Sequence, residues 1–247
     1  DEVARPSSVG FERGETARAT AIGAASGLAI EQWRQHGHAK AEETDRQAVA
    51  DHRVNELDVT IELQPGRIAR YGPVTAGGSQ RTDAEYIEFI TGLPRGEQYD
   101  PDDIVEARDR LSRLGIFKSI RIDESAEIGE DGELPIEVTV QDRAPRSIGF
   151  GGTYSTLDGL GIEAYWQHRN LFGRAERLRF SASIERLLVS IDPSEYNYNF
   201  GVSFTKPGVW TPDTDFVTGA LARQLDFENY RERSVSAQIG ISQQFGR

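Results

Sequence analysis

Cysteine and methionine are both missing from this chain of 247 residues. Without cysteine there can be no disulfide scaffold, thiolate metal site or cysteine nucleophile, and the chain is compatible with an oxidising compartment. Without methionine, and with no basic start followed by an apolar run, the natural start and any signal peptide are expected to lie outside the chain. The sequence is therefore expected to be an internal fragment of a longer protein.

Positive charge and long apolar runs are also scarce. The 28 Lys and Arg are outnumbered by 40 Asp and Glu, which argues against nucleic acid as a partner. The best apolar stretch, Ala21 to Ile30, is interrupted by Gly23 and Gly27 and is shorter than the roughly 18 residues of a membrane helix, so a helical span is excluded. The hydrophobic share of 37% is low for two soluble cores, so some apolar surface is expected to be covered by something other than the chain itself.

Several patterns that resemble reactive or ligand-binding sites have simpler interpretations. The acidic run from Asp123 to Glu133 lacks the alternating ligand spacing of a calcium loop and is typical of a solvated turn. His36 and His38 flank a glycine far from the other histidines, which favours surface residues over a metal site. The glycines at 149–152 precede a strand rather than the helix of a dinucleotide fingerprint, and no serine lies in a nucleophile elbow. The sequence therefore predicts no catalytic, metal-binding or cofactor-binding residue, and a function that is not enzymatic.

Residues 65–142 contain a complete α+β unit, predicted from the order strand, helix, helix, strand, strand. Its strands are predicted over Arg67 to Thr75, over Phe117 to Asp123 and through Ile136, Val138 and Val140. The first helix follows Thr82, whose spacing from Glu85 predicts a reciprocal cap, and Tyr86, Phe89 and Ile90 share one face. The second helix starts at Asp100, and its apolar stripe is predicted at Ile104, Ala107, Leu111 and Leu114.

Residues 1–64 are predicted to be the tail of a similar unit. The pattern indicates a helix near Glu15 to Gln35, a strand near Lys40 to Val49 and another over Leu57 to Leu63. An opening strand and a first helix are not evident, and residues 1–13 have no clear pattern. The first 64 residues are therefore interpreted as a partial unit with an irregular start.

Residues 147–247 contain six segments, most of which alternate cleanly between apolar and polar residues. Each segment has about ten residues, the length of a tilted strand that crosses a membrane, whereas strands of soluble sheets have about five or six. Such sheets must close into barrels of at least about eight strands, so further strands are expected beyond residue 247. The weak alternation from Phe216 to Phe227 leaves the outward face of the fifth segment unassigned. The candidate lipid-facing residues are Leu160, Ile162, Trp166, Phe180, Ile184, Tyr196, Tyr198, Phe200, Val202, Phe204, Val235 and Ile239.

A soluble protein remains an alternative at this point. In a β-sandwich or lipocalin-like barrel the same alternation would point the apolar side chains into a protein core. The two interpretations differ in what covers Tyr198, Phe200 and Val202.

The order of these modules resembles the outer-membrane assembly superfamily of BamA and TamA, in which polypeptide-transport-associated (POTRA) domains precede a membrane β-barrel. The landmarks that resemble a barrel-proximal POTRA domain are Arg70 to Thr75, Arg81 to Asp83, Gly92 to Pro94, Tyr99 to Pro101 and Leu114 to Phe117. The landmarks that resemble the barrel opening are Gly159 to Gly161, Trp166, the periplasmic-turn motif His168, Arg169, Asn170, Leu171, Phe172 and Gly173, and the next turn, Lys206 to Gly208. The tight link between the two modules is most like a TamA-type translocation and assembly module.

The resemblance implies a bacterial outer-membrane location with the POTRA domains in the periplasm, and a role in assembling outer-membrane proteins and autotransporters. Client polypeptides would bind by β-strand addition and be templated at the first barrel strand. The partners would be unfolded clients, the lipid bilayer and an inner-membrane-anchored protein. The first strand, as candidate lateral seam, contains Ser147, Gly149, Gly151, Gly152 and Tyr154.

Three alternatives remain open for the function and the seam. The glycines in the first strand are equally compatible with curvature or close packing. A passive pore or protein-secretion channel of the same superfamily is one alternative function, and a soluble β-sandwich binding protein is another.

Overall fold

A computed structural model of the chain describes residues 5–156, 159–226 and 229–245. These residues form two compact units whose boundaries pass through secondary-structure elements. The first unit contains the residues up to Thr75, Leu93–Glu106 and Ile122–Glu137. The second unit contains Ala76–Gly92, Ala107–Arg121 and the residues from Val138 onward.

Three α-helices, eleven strands and two short 3-10 helices, Pro6–Val9 and Pro193–Glu195, follow one another along the described part of the chain. The helices and strands before residue 143 are α1 (Ala19–Gln35), β1 (Glu42–Asp51), β2 (Glu56–Gln64), β3 (Arg70–Gly77), α2 (Ala84–Thr91), α3 (Pro101–Arg113), β4 (Phe117–Glu124) and β5 (Glu133–Asp142). The later strands are β6 (Arg146–Ser155), β7 (Gly159–His168), β8 (Arg177–Leu187), β9 (Asn197–Lys206), β10 (Thr214–Asp226) and β11 (Arg231–Gln243). No helix in the described ranges is long and apolar enough to cross a membrane.

Helix α1 and the β1–β2 hairpin occupy the predicted partial unit at the start of the chain. The helix begins at Ala19 rather than near Glu15. Its first buried side chains are Ala21 and Ile22, so the preceding residues have no apolar face to pack and stay outside the helix. The two strands pair antiparallel in a sheet of their own.

Strands β3, β4 and β5 form a three-stranded sheet in the order β3-β5-β4. The element order β3-α2-α3-β4-β5 is the one predicted from the sequence. The predicted stripe of α3 is confirmed, because its apolar positions are all buried: Ile104, Ala107, Leu111 and Leu114. Gly115, at φ 67°, follows this helix in the left-handed region that glycine accommodates best.

The reciprocal cap predicted for α2 is wrong. Asp83, not Thr82, precedes the helix, and no side chain caps it. Thr82 and Asp83 instead bond to the segment between β7 and β8. Contacts with a segment distant in the sequence have therefore replaced the local cap of α2.

Strands β6 to β11 form one antiparallel meander in the order β11-β10-β9-β8-β7-β6. The register assigns the face that the sequence left open, because Ala220 lies opposite Val202 and Ala222 lies opposite Phe200. Strand β10 therefore turns Phe216, Thr218, Ala220 and Ala222 to the same side as the apolar residues of β9. The predicted end of this strand, Phe227, lies outside the described residues.

Candidate functional site

One side of the six-stranded sheet, here called the apolar face, carries continuous rows of apolar side chains across neighbouring strands. One row contains Ile148, Trp166, Phe180, Val202, Ala220 and Ala237, and the next contains Phe150, Ala164, Ala182, Phe200, Ala222 and Val235. The same register places Leu160, Ile162, Ile184, Tyr198, Phe204 and Ile239 on this face. Tyr196 lies just before β9, with its ring centroid 6.3 Å from that of Tyr198.

The apolar face is not the wall of a protein core within the described residues. Phe150 is 82% exposed, Phe200 is 54% exposed, and Val235 and Ile239 are 80% and 77% exposed. Tyr198 and Val202 are only partly buried. Soluble monomers rarely leave so large a contiguous apolar surface uncovered, which disfavours the β-sandwich alternative.

The opposite side of the sheet, here called the polar face, explains two glycines of β6. A Cβ atom added to Gly149 would lie 2.2 Å from Cε1 of Tyr165, and one added to Gly151 would lie 2.6 Å from Oε1 of Glu163. The Tyr165 ring also lies under Arg179, whose Cζ is 3.9 Å from the ring centroid. These glycines therefore make room for side chains of β7, which favours the close-packing interpretation at these two positions.

The remaining predicted seam residues are divided between the two faces of the sheet. Ser147 lies on the polar face with Gly149 and Gly151, whereas Gly152 and Tyr154 lie on the apolar face. Next to Gly152 an added Cβ would meet only the Gly161 carbonyl oxygen, at 3.7 Å. Strand β6 is at the end of the sheet order and pairs only with β7 among the described strands, so one of its edges is open.

The predicted turn motif lies in the segment 169–176 between β7 and β8, here called the first turn. Asn170 donates through Nδ2 to the carbonyl oxygen of Arg81 at 3.0 Å and to Oγ1 of Thr82 at 2.9 Å. The amide of Asp83 donates to the carbonyl oxygen of Gly173 at 3.0 Å, and the Asp83 carboxylate pairs with Arg174 Nε at 3.1 Å. The first turn is thus bonded to the residues that precede α2.

Glu176 completes the first turn, and its role there was not predicted from the sequence. It is only 3% exposed, and its carboxylate accepts hydrogen bonds from the amides of Phe172 and Arg174 at 3.1 and 3.0 Å. The Asn170 side chain also accepts one from the amide of Ala175, at 2.9 Å. The only signal was a carboxylate four residues after Phe172, and an isolated glutamate is too common to be recognised as a turn residue.

The segment 207–213 between β9 and β10, here called the second turn, packs against α2. Gly208 has φ 63°, and a Cβ added there would lie 2.6 Å from Ile90 Cδ1 and 3.2 Å from Phe89 Cε1. The Tyr86 hydroxyl donates to the carbonyl oxygen of Pro207 at 3.1 Å. The predicted shared face of α2 is therefore the face against this turn, although Phe89 remains 41% exposed.

An ion-pair cluster joins the second turn to α3. Asp213 Oδ2 lies 2.9 Å from Arg110 Nη2, and Asp213 Oδ1 lies 2.6 Å from Arg113 Nη2. Burial opposes ionisation of Asp213, but the hydrogen bonds and charges of the two arginines outweigh it and lower the pKa of this carboxyl. Sequence reasoning missed the cluster because its members are about 100 residues apart.

The first unit contains a separate polar cluster at the end of α1. Arg34 Nη2 lies 2.7 Å from Glu124 Oε1 and also donates to the Tyr99 hydroxyl, which itself donates to Glu124 at 2.6 Å. Lys40 Nζ is 3.6 Å from the second Glu124 oxygen. Burial raises the pKa of Tyr99, so its hydroxyl stays a donor at neutral pH. The cluster ties α1 to the residues around Tyr99 and Glu124.

Within the residues that can be described, no group of three or more histidine, aspartate or glutamate side chains is arranged to hold a metal ion. The acidic loop between β4 and β5 is held by other contacts: Arg67 donates to the carbonyl oxygens of Gly129 and Glu130 at 3.2 and 3.1 Å.

Comparison with known proteins relates the chain to outer-membrane assembly factors. No protein-family model matches it. The chain is 24% identical over 178 residues to the outer membrane protein assembly factor BamA of Neorickettsia risticii, an alignment that covers 72% of this chain and 22% of that protein. It is 33% identical over 149 residues to the sorting and assembly machinery component 50 homolog of Xenopus tropicalis, covering 55% of this chain and 28% of that protein. The chain thus spans less than a third of the length of these relatives.

Two solved structures share its fold. BamA from Haemophilus ducreyi lacking POTRA domains 1-3 superposes with a TM-score of 0.73 at 17% identity, over 92% of this chain and 42% of that one. CdiB from Acinetobacter baumannii gives a TM-score of 0.55 at 11% identity, over 98% of this chain and 46% of that one. At these identities the likeness shows the fold alone.

Proposed function

Because the chain belongs to the superfamily of BamA-type outer-membrane assembly proteins, we propose that the full-length protein assembles and inserts β-barrel proteins into the bacterial outer membrane. In this proposal the protein is located in that membrane, with its POTRA region in the periplasm. Curated relatives are named as assembly factors, and the proposed role makes and breaks no covalent bond. Client outer-membrane proteins and autotransporters, and the TamA-type partnership with an inner-membrane-anchored protein, are parts of this proposal.

The uncovered apolar face is the observation that carries the proposal. A sheet with one apolar face exposed and one polar face suits a barrel wall between hydrocarbon and a wet lumen. Lipid tolerates no open sheet edge, so further strands of the full-length protein would close the barrel with β6 to β11. Residues 65–142 would then be the barrel-proximal POTRA domain, and residues 1–64 part of the preceding one.

The open edge of β6 gives the proposed mechanism its starting point. An unpaired strand edge offers backbone donors and acceptors that any extended client can use, whatever its side chains. The closing strand would occupy this edge at rest and leave it when a client strand pairs there. Clients would then enter the bilayer through the seam between β6 and the closing strand.

The test is a reversible lock on this seam. Because the chain has no cysteine, a cysteine replacing Ile148 in a full-length protein that is otherwise free of cysteine can be cross-linked to one cysteine in the closing strand. The oxidised protein in liposomes should insert an unfolded barrel client at the background rate, and reduction should restore the rate. A control pair of cysteines at the directly paired Phe200 and Ala222 should leave insertion unchanged.

Equal insertion by the locked and unlocked proteins would contradict the seam mechanism. Steady ion conductance with no acceleration of client insertion by the unmodified protein would favour the passive pore or secretion channel instead. A protein that stays monomeric and soluble without detergent would favour the soluble binding protein.

A further inference from the structure

An open surface pocket of about 580 Å³, here called the cavity, lies where the first turn meets the residues before α2. Its lining includes Arg81, Thr82, His168, Asn170, Leu171 and Phe172. His168 is the last residue of β7 and belongs to the apolar face, since it follows Trp166 by two positions. The cavity therefore lies at the end of the apolar face, beside the first turn.

Arg81 lines this cavity and Arg146 lies next to its lining, although the whole chain has a net charge of -12. Arg146 lies directly opposite His168 in the strand register. The guanidinium groups of Arg81 and Arg146 are exposed and form no ion pair with any residue that the structure describes. They are thus available to a ligand with negative charge.

The carboxylates near the cavity are already engaged. Asp83 pairs with Arg174, and Asp142 accepts hydrogen bonds from the Ser79 hydroxyl at 2.7 Å and the Gln80 amide at 3.0 Å. They reduce the positive potential but leave the two arginines unpaired.

Leu171 and Phe172 line the same cavity, and further apolar groups lie next to its lining residue His168. The Trp166 and His168 ring centroids are 6.2 Å apart, and Ile148 lies opposite Trp166. Phe172, at the tip of the first turn, is 73% exposed. A ligand here would meet cations at one end and an apolar surface at the other, which is the chemistry of a membrane lipid at the bilayer interface.

We propose that this cavity binds the headgroup of an anionic phospholipid, with Arg81 and Arg146 donating to its phosphate and its acyl chains lying along Ile148 and Trp166. The proposal rests on the membrane placement of the apolar face in the proposed function. A free phosphate would use the arginines alone, whereas the continuity of the cavity with the apolar face selects a lipid. The bound lipid would contact both β7 and the residues before α2.

The test compares full-length protein in nanodiscs of phosphatidylcholine with and without phosphatidylglycerol. Native mass spectrometry after release into detergent should show phosphatidylglycerol retained in preference to phosphatidylcholine. The double variant Arg81→Gln, Arg146→Gln should lose this preference by roughly fivefold for each arginine, since a basic group at a membrane surface contributes about 1 kcal/mol. The control Arg108→Gln removes the same charge from an exposed residue of α3 outside the cavity and should keep the preference.

A second measurement separates this inference from the proposed function. In a variant with Trp166 as its only tryptophan, brominated lipid should quench the tryptophan fluorescence if the apolar face lies in the bilayer. Quenching with equal lipid retention by the double variant and the unmodified protein would overturn the lipid site alone. Absence of quenching would overturn the membrane placement and the lipid site with it. Retention abolished by millimolar inorganic phosphate, with no difference between the two lipids, would indicate a phosphate site and also overturn the lipid proposal.

Discussion

Replacement of Gly149 by alanine should destabilise the six-stranded sheet, whereas the same change at Gly152, three positions along β6, should not. The added methyl at 149 would overlap the Tyr165 ring, because their closest atoms would be 2.2 Å apart. The methyl at 152 would meet nothing closer than 3.7 Å. Both substitutions remove the same backbone freedom from one strand but lie on opposite faces, so a double variant that also removes the Tyr165 ring is needed to isolate the packing contact.

The expected loss in the free energy of unfolding follows from the contacts that the Tyr165 ring would lose. Overpacking costs about 1–3 kcal/mol in closed cores, and the polar face of an open sheet lets the ring rotate, which favours the lower end. Rotation also removes the ring from beneath Arg179, a contact of about 0.5–1 kcal/mol at an exposed site. We expect a loss of about 1.5 kcal/mol for Gly149→Ala, close to a tenfold change in the unfolding equilibrium. Gly152→Ala should stay within about 0.5 kcal/mol of the unmodified protein.

The assay is reversible urea unfolding of the full-length protein in lipid vesicles, followed by tryptophan fluorescence. The double variant Gly149→Ala, Tyr165→Ala should recover about 1 kcal/mol relative to the sum of the two single changes, because the overlapping ring is gone. Equal destabilisation at the two glycines, or single changes that simply add, would refute the packing explanation.

Three further perturbations test the turns and the cluster in the first unit. Asp213→Asn should lower the melting temperature at pH 7. Because folding lowers the Asp213 pKa, the stabilisation by the ionised carboxylate is complete above about pH 4 and is lost as the pH falls through the pKa of the folded state. A difference in melting temperature between the variant and the unmodified protein that persists in acid would contradict this explanation. Asn170→Ala removes bonds to Arg81 and Thr82 and should cost about 1–3 kcal/mol, together with faster amide hydrogen exchange in the first turn; unchanged exchange would count against its role. Glu124→Gln should release the end of α1, seen as greater proteolysis after Arg34, and resistance equal to that of the unmodified protein would show that the cluster is dispensable.

The alternating strands were predictable because a strand with one apolar side has a period of two residues. Strand β9 carries large apolar residues at every second position, and β8 does so at Leu178, Phe180 and Ile184 with Ala182 between them, so the apolar face of each is evident without any neighbour. Strand β10 places small residues, Ala220 and Ala222, between Phe216 and Gln224 on the corresponding face. The difference in hydrophobicity between its two sides is too small to show from the sequence which side is apolar. Only the pairing with β9 assigns the apolar face of β10.

The contacts of the two turns were not predictable, because they depend on partners distant in the chain. The spacing of Thr82 and Glu85 indicated a local cap, but Thr82 accepts a hydrogen bond from Asn170, 88 positions away. The same holds for Arg113 and Asp213, at a separation of 100 positions. Local patterns predict where a helix starts but not which distant group competes for its end. The turn motif was found only by resemblance, and its contacts required the structure.

Two turns at one end of the sheet contact different parts of the preceding region: the first turn bonds to residues before α2, and the second turn contacts α2 and α3. These turns connect β7 to β8 and β9 to β10, so a force applied through the helices reaches four strands together. Strand β6 follows the short segment 143–145, where the amide of Arg143 donates to the carbonyl oxygen of Ile116 and the amide of Arg169, in the first turn, donates to the carbonyl oxygen of Pro145, both at 2.7 Å. A force applied to this region would therefore reach β7 to β10 through the two turns and would reach β6 through this separate, shorter connection.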